Sequence, residues 1–295
     1  MPRLKRFLSE VQQGRVPQTL WTYKEVGHTQ DAKKQLLSLV HFENRDNVLD
    51  TVKPASLIRR ILQVATQPMA NDLILDFFAG SGPTGQAVFE QNQHDDGNRR
   101  FILIQIPEPL PKPENRLHTI ADIAKERVRR AAKKIKEEHP DWNGDTGFRV
   151  FKLDTSNIKA WNPTLPKDAD IEGYIQQEIE DHIDNILPGR TEQDILYELL
   201  LKLGLDLCVP IETRKIAGKT VYSIGAGVLM VCLDKKIAAD EAENLGLGIV
   251  KWHKELEPAG ETTCVFLDCA FENDVAKTNL SAILEQNGIS NVRSL

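Results

Sequence analysis

Asp72-Leu73-Ile74-Leu75-Asp76-Phe77-Phe78-Ala79-Gly80-Ser81-Gly82-Pro83-Thr84-Gly85-Gln86 decides the fold of this 295-residue chain. Leu73, Ile74 and Leu75 read as a short buried strand that ends at Asp76. Gly80, Ser81 and Gly82 then turn the backbone into a helix whose first residue is Pro83. Glycines at 80 and 82 permit positive backbone torsion and leave no side chain in a ligand's way, and the helix start behind them presents unpaired amides. That is the shape of a nucleotide-type cofactor site. The bland alternative is a helix-start turn with no ligand.

Three cofactor classes use such a turn, and pattern matching alone does not separate them. Gly80 to Gly85 satisfies the dinucleotide pattern G-x-G-x-x-G and also the first half of the phosphate-loop pattern G-x-x-x-x-G-K-[ST]. The phosphate loop needs a lysine and a hydroxyl directly afterwards, and Gln86 and Ala87 stand there instead. In the dinucleotide reading the helix start faces a pyrophosphate, which Asp76 in the same crevice would repel. The same carboxylate suits a cofactor carrying a sulfonium and an ammonium group, and S-adenosyl-L-methionine is one.

The rest of the chain bounds the answer. A hydrophobic content of 41% in 295 residues supports a real core in one large domain or two. The N-terminus lacks a signal-peptide apolar stretch, and the longest apolar run, residues 221–233, is too short and too interrupted by glycine to span a bilayer, so a cytoplasmic protein is expected. Cys208, Cys232, Cys264 and Cys269 lie in apolar segments without a C-x-x-C pair or neighbouring histidines and read as four ordinary buried thiols. The net charge of −6 divides unevenly: residues 1–160 balance to +5 and residues 161–295 to −11. The acidic half is a poor surface for nucleic acid and is expected to pack or assemble. Basic residues are densest at Arg3, Lys5 and Arg6 and over 125–136; this is compatible with a polyanion, and for most of them solvated helix faces are explanation enough.

Helical periodicity predicts helices over 29–40, after Lys53-Pro54, over 84–91 and, most clearly, over 119–138, where Ile120, Ile123, Ala124, Val128, Ala131, Ala132 and Ile135 form one stripe with the Arg and Lys residues mainly off it. Strands are expected at 73–75, 101–106 and 148–153. This β-α-β-α-β order argues for a parallel doubly wound sheet with its ligand crevice at the strand ends, near Asp76 and Gln105. Residues 162–170 read as a linker. Beyond it, helices at 172–186, 192–203, 236–245 and 277–286 and strands at 221–233 and 263–267 predict a second α/β domain. His182 and His253 are isolated in it and form no catalytic constellation.

The order Lys53-Pro54, then Asp76-Phe77-Phe78-Ala79-Gly80-Ser81-Gly82, then Arg100-Phe101-Ile102-Leu103-Ile104-Gln105 resembles the C-terminal part of the modification subunit of type III restriction-modification systems. These are β-group N6-adenine DNA methyltransferases. Further resemblance lies in residues 21–32, in Ala124-Lys125-Glu126-Arg127, in residues 151–157, in Pro188-Gly189-Arg190-Thr191 and in residues 270–274. The resemblance implies an α/β fold: a partial Rossmann-like S-adenosylmethionine-dependent methyltransferase sheet over residues 1–160 and a smaller C-terminal α/β assembly domain over 161–295. It implies that Asp76, Phe77, Phe78, Ala79, Gly80, Ser81, Gly82 and Thr84 wrap the cofactor. Lys53 and Pro54 help to form its amino acid end, and Gln105 meets the ribose hydroxyls, with Glu108 as a fallback. Two residues depart from the usual pattern. Gln105 replaces a residue that is often acidic, and Pro83 replaces a commoner threonine and brings neither an amide hydrogen nor a hydroxyl.

The resemblance also implies a catalytic motif, Asp-Pro-Pro-Tyr or a close variant, that holds the flipped adenine. No such string occurs in these residues. Asn162-Pro163-Thr164-Leu165 is nearest, lacks the second proline and the aromatic ring, and lies on the wrong side of the glycine turn. The expectation is therefore half a sheet with open edges, which favours association with an N-terminal catalytic and target-recognition portion or with a second copy of the chain. DNA, reached through the complete enzyme, and a helicase-nuclease restriction subunit are the implied partners. The competing expectation is a noncatalytic dimerisation or docking module with a vestigial cofactor pocket. A nicotinamide oxidoreductase would need a proton donor nearby, and none is seen.

Overall fold

The computed structural model describes residues 16–159 and 185–295, and the chain divides into two compact units, residues 1–148 and 149–295. The expected linker at 162–170, the Asn162 string, His182 and nearly all of the expected helix at 172–186 lie outside the described residues.

In the first unit, α1 (Tyr23–Val26), α2 (Thr29–Leu39) and α3 (Ala55–Ala65) precede β1 (Leu73–Asp76), α4 (Pro83–Asp95), β2 (Arg100–Leu103) and α5 (Ile120–Glu138). β1 and β2 pair in parallel, Leu73 opposite Arg100 and Asp76 opposite Leu103, with α4 as the crossover. Strand alternation sends Ile74, Phe101 and Leu103 to one face. There they pack on Ala55 and Leu62 of α3, Ala87, Val88 and Phe89 of α4, and Val128 and Ile135 of α5. α4 lies between α3 and α5 and is buried over most of its length. The opposite face carries Leu73, Leu75 and Ile102, all exposed, continued by exposed Ile104 and Ile106.

The third strand expected at 148–153 does not form. Phe148 joins Phe89, Val128 and Ile135, while the residues after it lie along α6 (Glu192–Lys202) of the second unit. There Arg149 donates to the Tyr197 hydroxyl at 3.1 Å and to the Leu207 carbonyl at 2.6 Å, and Phe151 meets the Tyr197 ring edge-on. Side-chain contacts with a helix thus take the place of a strand ladder, and the described first unit has a two-stranded sheet. The helix expected over 84–91 runs on to Asp95 in α4, its last turn held by Arg99, whose guanidinium grips both oxygens of Asp95 at 2.9 Å.

The second unit is a five-stranded mixed sheet in sequence order: β3 (Ile211–Ile216), β4 (Lys219–Ile224), β5 (Leu229–Cys232), β6 (Thr263–Phe266) and β7 (Asn291–Ser294). The first three strands are antiparallel. The last three are parallel and are joined through α7 (Ala239–Leu256) and α8 (Asp274–Gln286). The single strand expected at 221–233 is broken by Gly225, Ala226 and Gly227, all at positive φ, into β4 and β5. One continuous core joins both helices, α6 and the inner strands. Two of the four cysteines depart from expectation. Cys232 and Cys264 are buried in strands, but Cys208 and Cys269 are exposed, because they fall in polar connections beside Asp206 and Asp268. Among the described residues no helix is long and apolar enough to cross a membrane, and no group of His, Cys, Asp and Glu has the arrangement of a metal site.

Candidate cofactor site at the glycine turn

The turn that leaves β1 is held by hydrogen bonds from both strands and from within itself. The Ile104 amide donates to the Asp76 carbonyl at 2.8 Å and the Ala79 amide donates to the Ile104 carbonyl at 3.1 Å, so the parallel ladder runs past both strands. The Gly82 amide then closes the turn on the Ala79 carbonyl at 2.7 Å. Asp76 accepts from the Phe78 amide at 3.2 Å through one carboxylate oxygen and from the Thr84 hydroxyl at 2.5 Å through the other. Gln105, at the end of the second strand, accepts from the Gly80 amide at 2.7 Å and donates from its side-chain nitrogen to the Ile106 carbonyl at 3.1 Å.

These contacts place Asp76, Gly80, Thr84 and Gln105 around one turn, and they show that three side chains read from the sequence as facing a ligand also build the turn. An ionised carboxylate can accept about four hydrogen bonds, so Asp76 keeps lone pairs for a cation outside the turn. The two glycines do different work. Gly80 has φ +54° and a Cβ added there would meet nothing nearer than the Phe78 carbonyl at 3.9 Å, so its flank is open. Gly82 has φ +74° and its Cβ would lie 3.1 Å from the Ala124 carbonyl oxygen and 3.3 Å from the Ala124 Cα, so it exists to let α5 approach. Ala79, Ser81, Pro83 and Thr84 are buried, whereas Phe77 is exposed and Phe78 is 87% exposed.

Lys53 and Pro54 belong to another turn. Pro54 precedes α3 and packs on Gly27, where a Cβ would lie 3.2 Å from the proline Cβ, and Ser56 donates to the Val26 carbonyl at 2.6 Å. Lys53 is exposed. The Glu108 side chain is exposed too, and its carbonyl accepts from the Ile120 amide at the head of α5.

One residue of the site escaped the sequence reading. Arg127 of α5 is fully buried, donates from Nε to Gln86 at 2.8 Å and from Nη1 to the Ser81 hydroxyl at 2.8 Å, and its Nη2 is buried without a partner. Burial pushes its pKa down to about 10, opposed in part by the Glu90 carboxylate. The signal was available: Arg127 follows Ala124 by three and precedes Ala131 by four, which puts it on the buried stripe.

Residues 3–133 match the family model of the DNA methylases. The chain is 36% identical over 137 residues to the Mod subunit of the type III restriction-modification enzyme StyLTI of Salmonella typhimurium, a match covering 45% of this chain and 20% of that subunit. It is 32% identical over 142 residues to the EcoP15I Mod subunit of Escherichia coli, covering 43% and 21%. A shorter match, 43% identical over 65 residues, joins it to the type II methyltransferase M.KpnI of Klebsiella pneumoniae and covers 22% and 15%. The matched stretch thus spans about a fifth of the length of the type III subunits. With an acidic strand end and a glycine turn opening on free space, the first half of this chain is similar to the DNA methylases over residues 3–133 and to a part of the modification subunits of type III restriction-modification enzymes.

Proposed function

We propose that this chain supplies the S-adenosylmethionine-binding part of a site-specific adenine-N6 DNA methyltransferase of a type III restriction-modification system, on a partial Rossmann-like sheet. The observation that carries the reading is the open flank of Gly80 beside the Asp76 carboxylate at the C-terminal ends of two parallel strands. These residues fit the cofactor. A ligand can approach the backbone at Gly80 without meeting a side chain, a carboxylate stands near for the cationic end, and the exposed Phe77 and Phe78 rings offer apolar faces. S-adenosylmethionine would supply an activated methyl group. Asp76 would face its cationic groups, Gln105 and Thr84 would hold the turn in shape, and Lys53 and Pro54, which stand in a turn of their own before α3, would help to form its amino acid end.

The residues that would hold the adenine are a different matter. Asp-Pro-Pro-Tyr is absent from these 295 residues, so methyl transfer requires further polypeptide carrying it, joined or separate. The bare apolar face of β1 and β2, together with strand edges that no other described strand pairs, is where such a segment would join the sheet. The acidic C-terminal α/β part would serve assembly, including docking of a restriction subunit, and DNA would be bound by the assembled enzyme. Calorimetry with S-adenosylhomocysteine tests the pocket. Saturable binding that Asp76→Ala reduces at least tenfold is expected, whereas no binding by the wild-type chain would leave the docking role as the function. The chain by itself is expected to transfer no methyl group to duplex DNA, and measurable adenine methylation would overturn that part.

A further inference from the structure

Arg127 is poorly explained as a packing residue. A guanidinium fully removed from water is costly unless all its donors are met. Here one donor group has no partner, and the nearby charge that favours its ionised form belongs to Glu90, on the far side of Gln86. A methionine would fill similar space without that cost. What an apolar side chain could not do is bond two elements at once. Nη1 reaches Ser81 inside the glycine turn, Nε reaches Gln86 one turn into α4, and Gln86 passes the link to Glu90 at 2.7 Å. The rigid fork of the guanidinium fixes the separation of Ser81 and Gln86, and hence the pitch at which the turn enters its helix. Backbone packing fixes the same junction beside it, where Gly82 lies against Ala124, one turn of α5 before Arg127.

We propose that Arg127 is a positioning residue for the cofactor turn: by holding Ser81 and Gln86 together it sets the geometry of residues 79–82 for ligand binding. The inference rests on the reading of that turn as an S-adenosylmethionine site. Ser81 is then the relay between the buried cation and the open flank of Gly80.

The test uses the full chain with Arg127→Met, Arg127→Lys, Ser81→Ala and the Arg127→Met/Ser81→Ala double variant. Native-state hydrogen exchange reads the turn and calorimetry with S-adenosylhomocysteine reads the site. Arg127→Met is expected to speed amide exchange at residues 79–86 at least tenfold while α6 and α7 of the other unit stay protected, and to weaken binding at least tenfold. Ser81→Ala should weaken binding to a similar degree, and the double variant should lose little more than Arg127→Met, because the two residues act as one unit. Lysine, keeping one of the two bonds, should fall between. If Arg127→Met does not fold, the lysine and Ser81→Ala variants carry the same comparison. Unchanged exchange at 79–86, or faster exchange with unchanged affinity, overturns the inference and leaves the cofactor reading standing. A wild-type chain that binds no S-adenosylhomocysteine overturns both.

Discussion

Gly80 and Gly82 stand two residues apart, both at positive φ, yet a methyl group added to each meets different surroundings. At Gly82 an alanine would carry the left-handed strain of about 1–2 kcal/mol and would also press on the Ala124 backbone at 3.1 Å, which α5 cannot move without shifting Val128 and Ile135. At Gly80 it would carry the strain alone and project into open space. Gly82→Ala is therefore expected to be the more destabilising in urea unfolding, by at least about 1 kcal/mol beyond Gly80→Ala. Gly80→Ala should show the larger loss of S-adenosylhomocysteine affinity per unit of stability lost. Equal effects of the two on both measurements would mean that the open flank is not where the ligand approaches. The sequence identified both glycines as torsionally special but could not divide their duties. That division depends on a helix some 40 residues further along the chain, and spacing alone does not show that Asp76 and Gln105 also build the turn.

The helix that makes Gly82 necessary has its own start signal. Thr119 accepts from the Asp122 amide at 3.2 Å, and Asp122 accepts from the His118 amide at 3.1 Å and the Thr119 amide at 2.9 Å, with Lys125 2.6 Å away. Partial burial raises the Asp122 pKa, but Lys125, Thr119 and His118 outweigh it and bring the carboxyl from 3.8 down to about 2. A carboxyl whose folded pKa is depressed stabilises the fold above its unfolded pKa and loses that contribution as pH falls toward the folded value. α5 should thus lose about 2 kcal/mol of support between pH 4 and pH 2. Asp122→Asn should cost stability at pH 7 and flatten the acid limb of the stability profile; an acid limb unchanged by the substitution would refute the assignment.

The capping box of α5 and that of α6, Thr191 with Asp194, are local in sequence, and both helices begin where the residues predict. The strands were harder to read because their partners are remote or their turns are disguised. β3 and β4 are joined by Ala217-Gly218, both at positive φ, a hairpin turn that lacks the Asn-Gly or Asp-Gly signature. Residues 148–153 alternate like a strand, yet Phe151 and Arg149 use that alternation to reach Tyr197 on a helix.

Across the whole molecule the two units bury their sheets to different degrees. Among the described residues, the inner strands of the second unit lie in one continuous core, while in the first the apolar residues form three small clusters and one sheet face stays bare. Leu73, Leu75 and Ile102 are aliphatic at positions where a finished solvent-facing strand would carry polar residues, and strand alternation places them together on the uncovered side. Under the proposed function this face receives the polypeptide that carries the adenine-binding motif. The double variant Leu75→Thr/Ile102→Thr keeps strand propensity and removes apolar surface that is already in contact with water, so thermal unfolding of the chain alone should shift little. Its binding to a type III methyltransferase segment containing Asp-Pro-Pro-Tyr, measured by sedimentation of the mixture, should fall at least tenfold, and any DNA methylation regained by mixing the two should fall with it. If the variant associates as well as the wild type, the bare face is not the junction. If instead the wild-type chain sediments as a dimer that the variant abolishes, the face is covered by a second copy and the mixed-chain assembly is wrong.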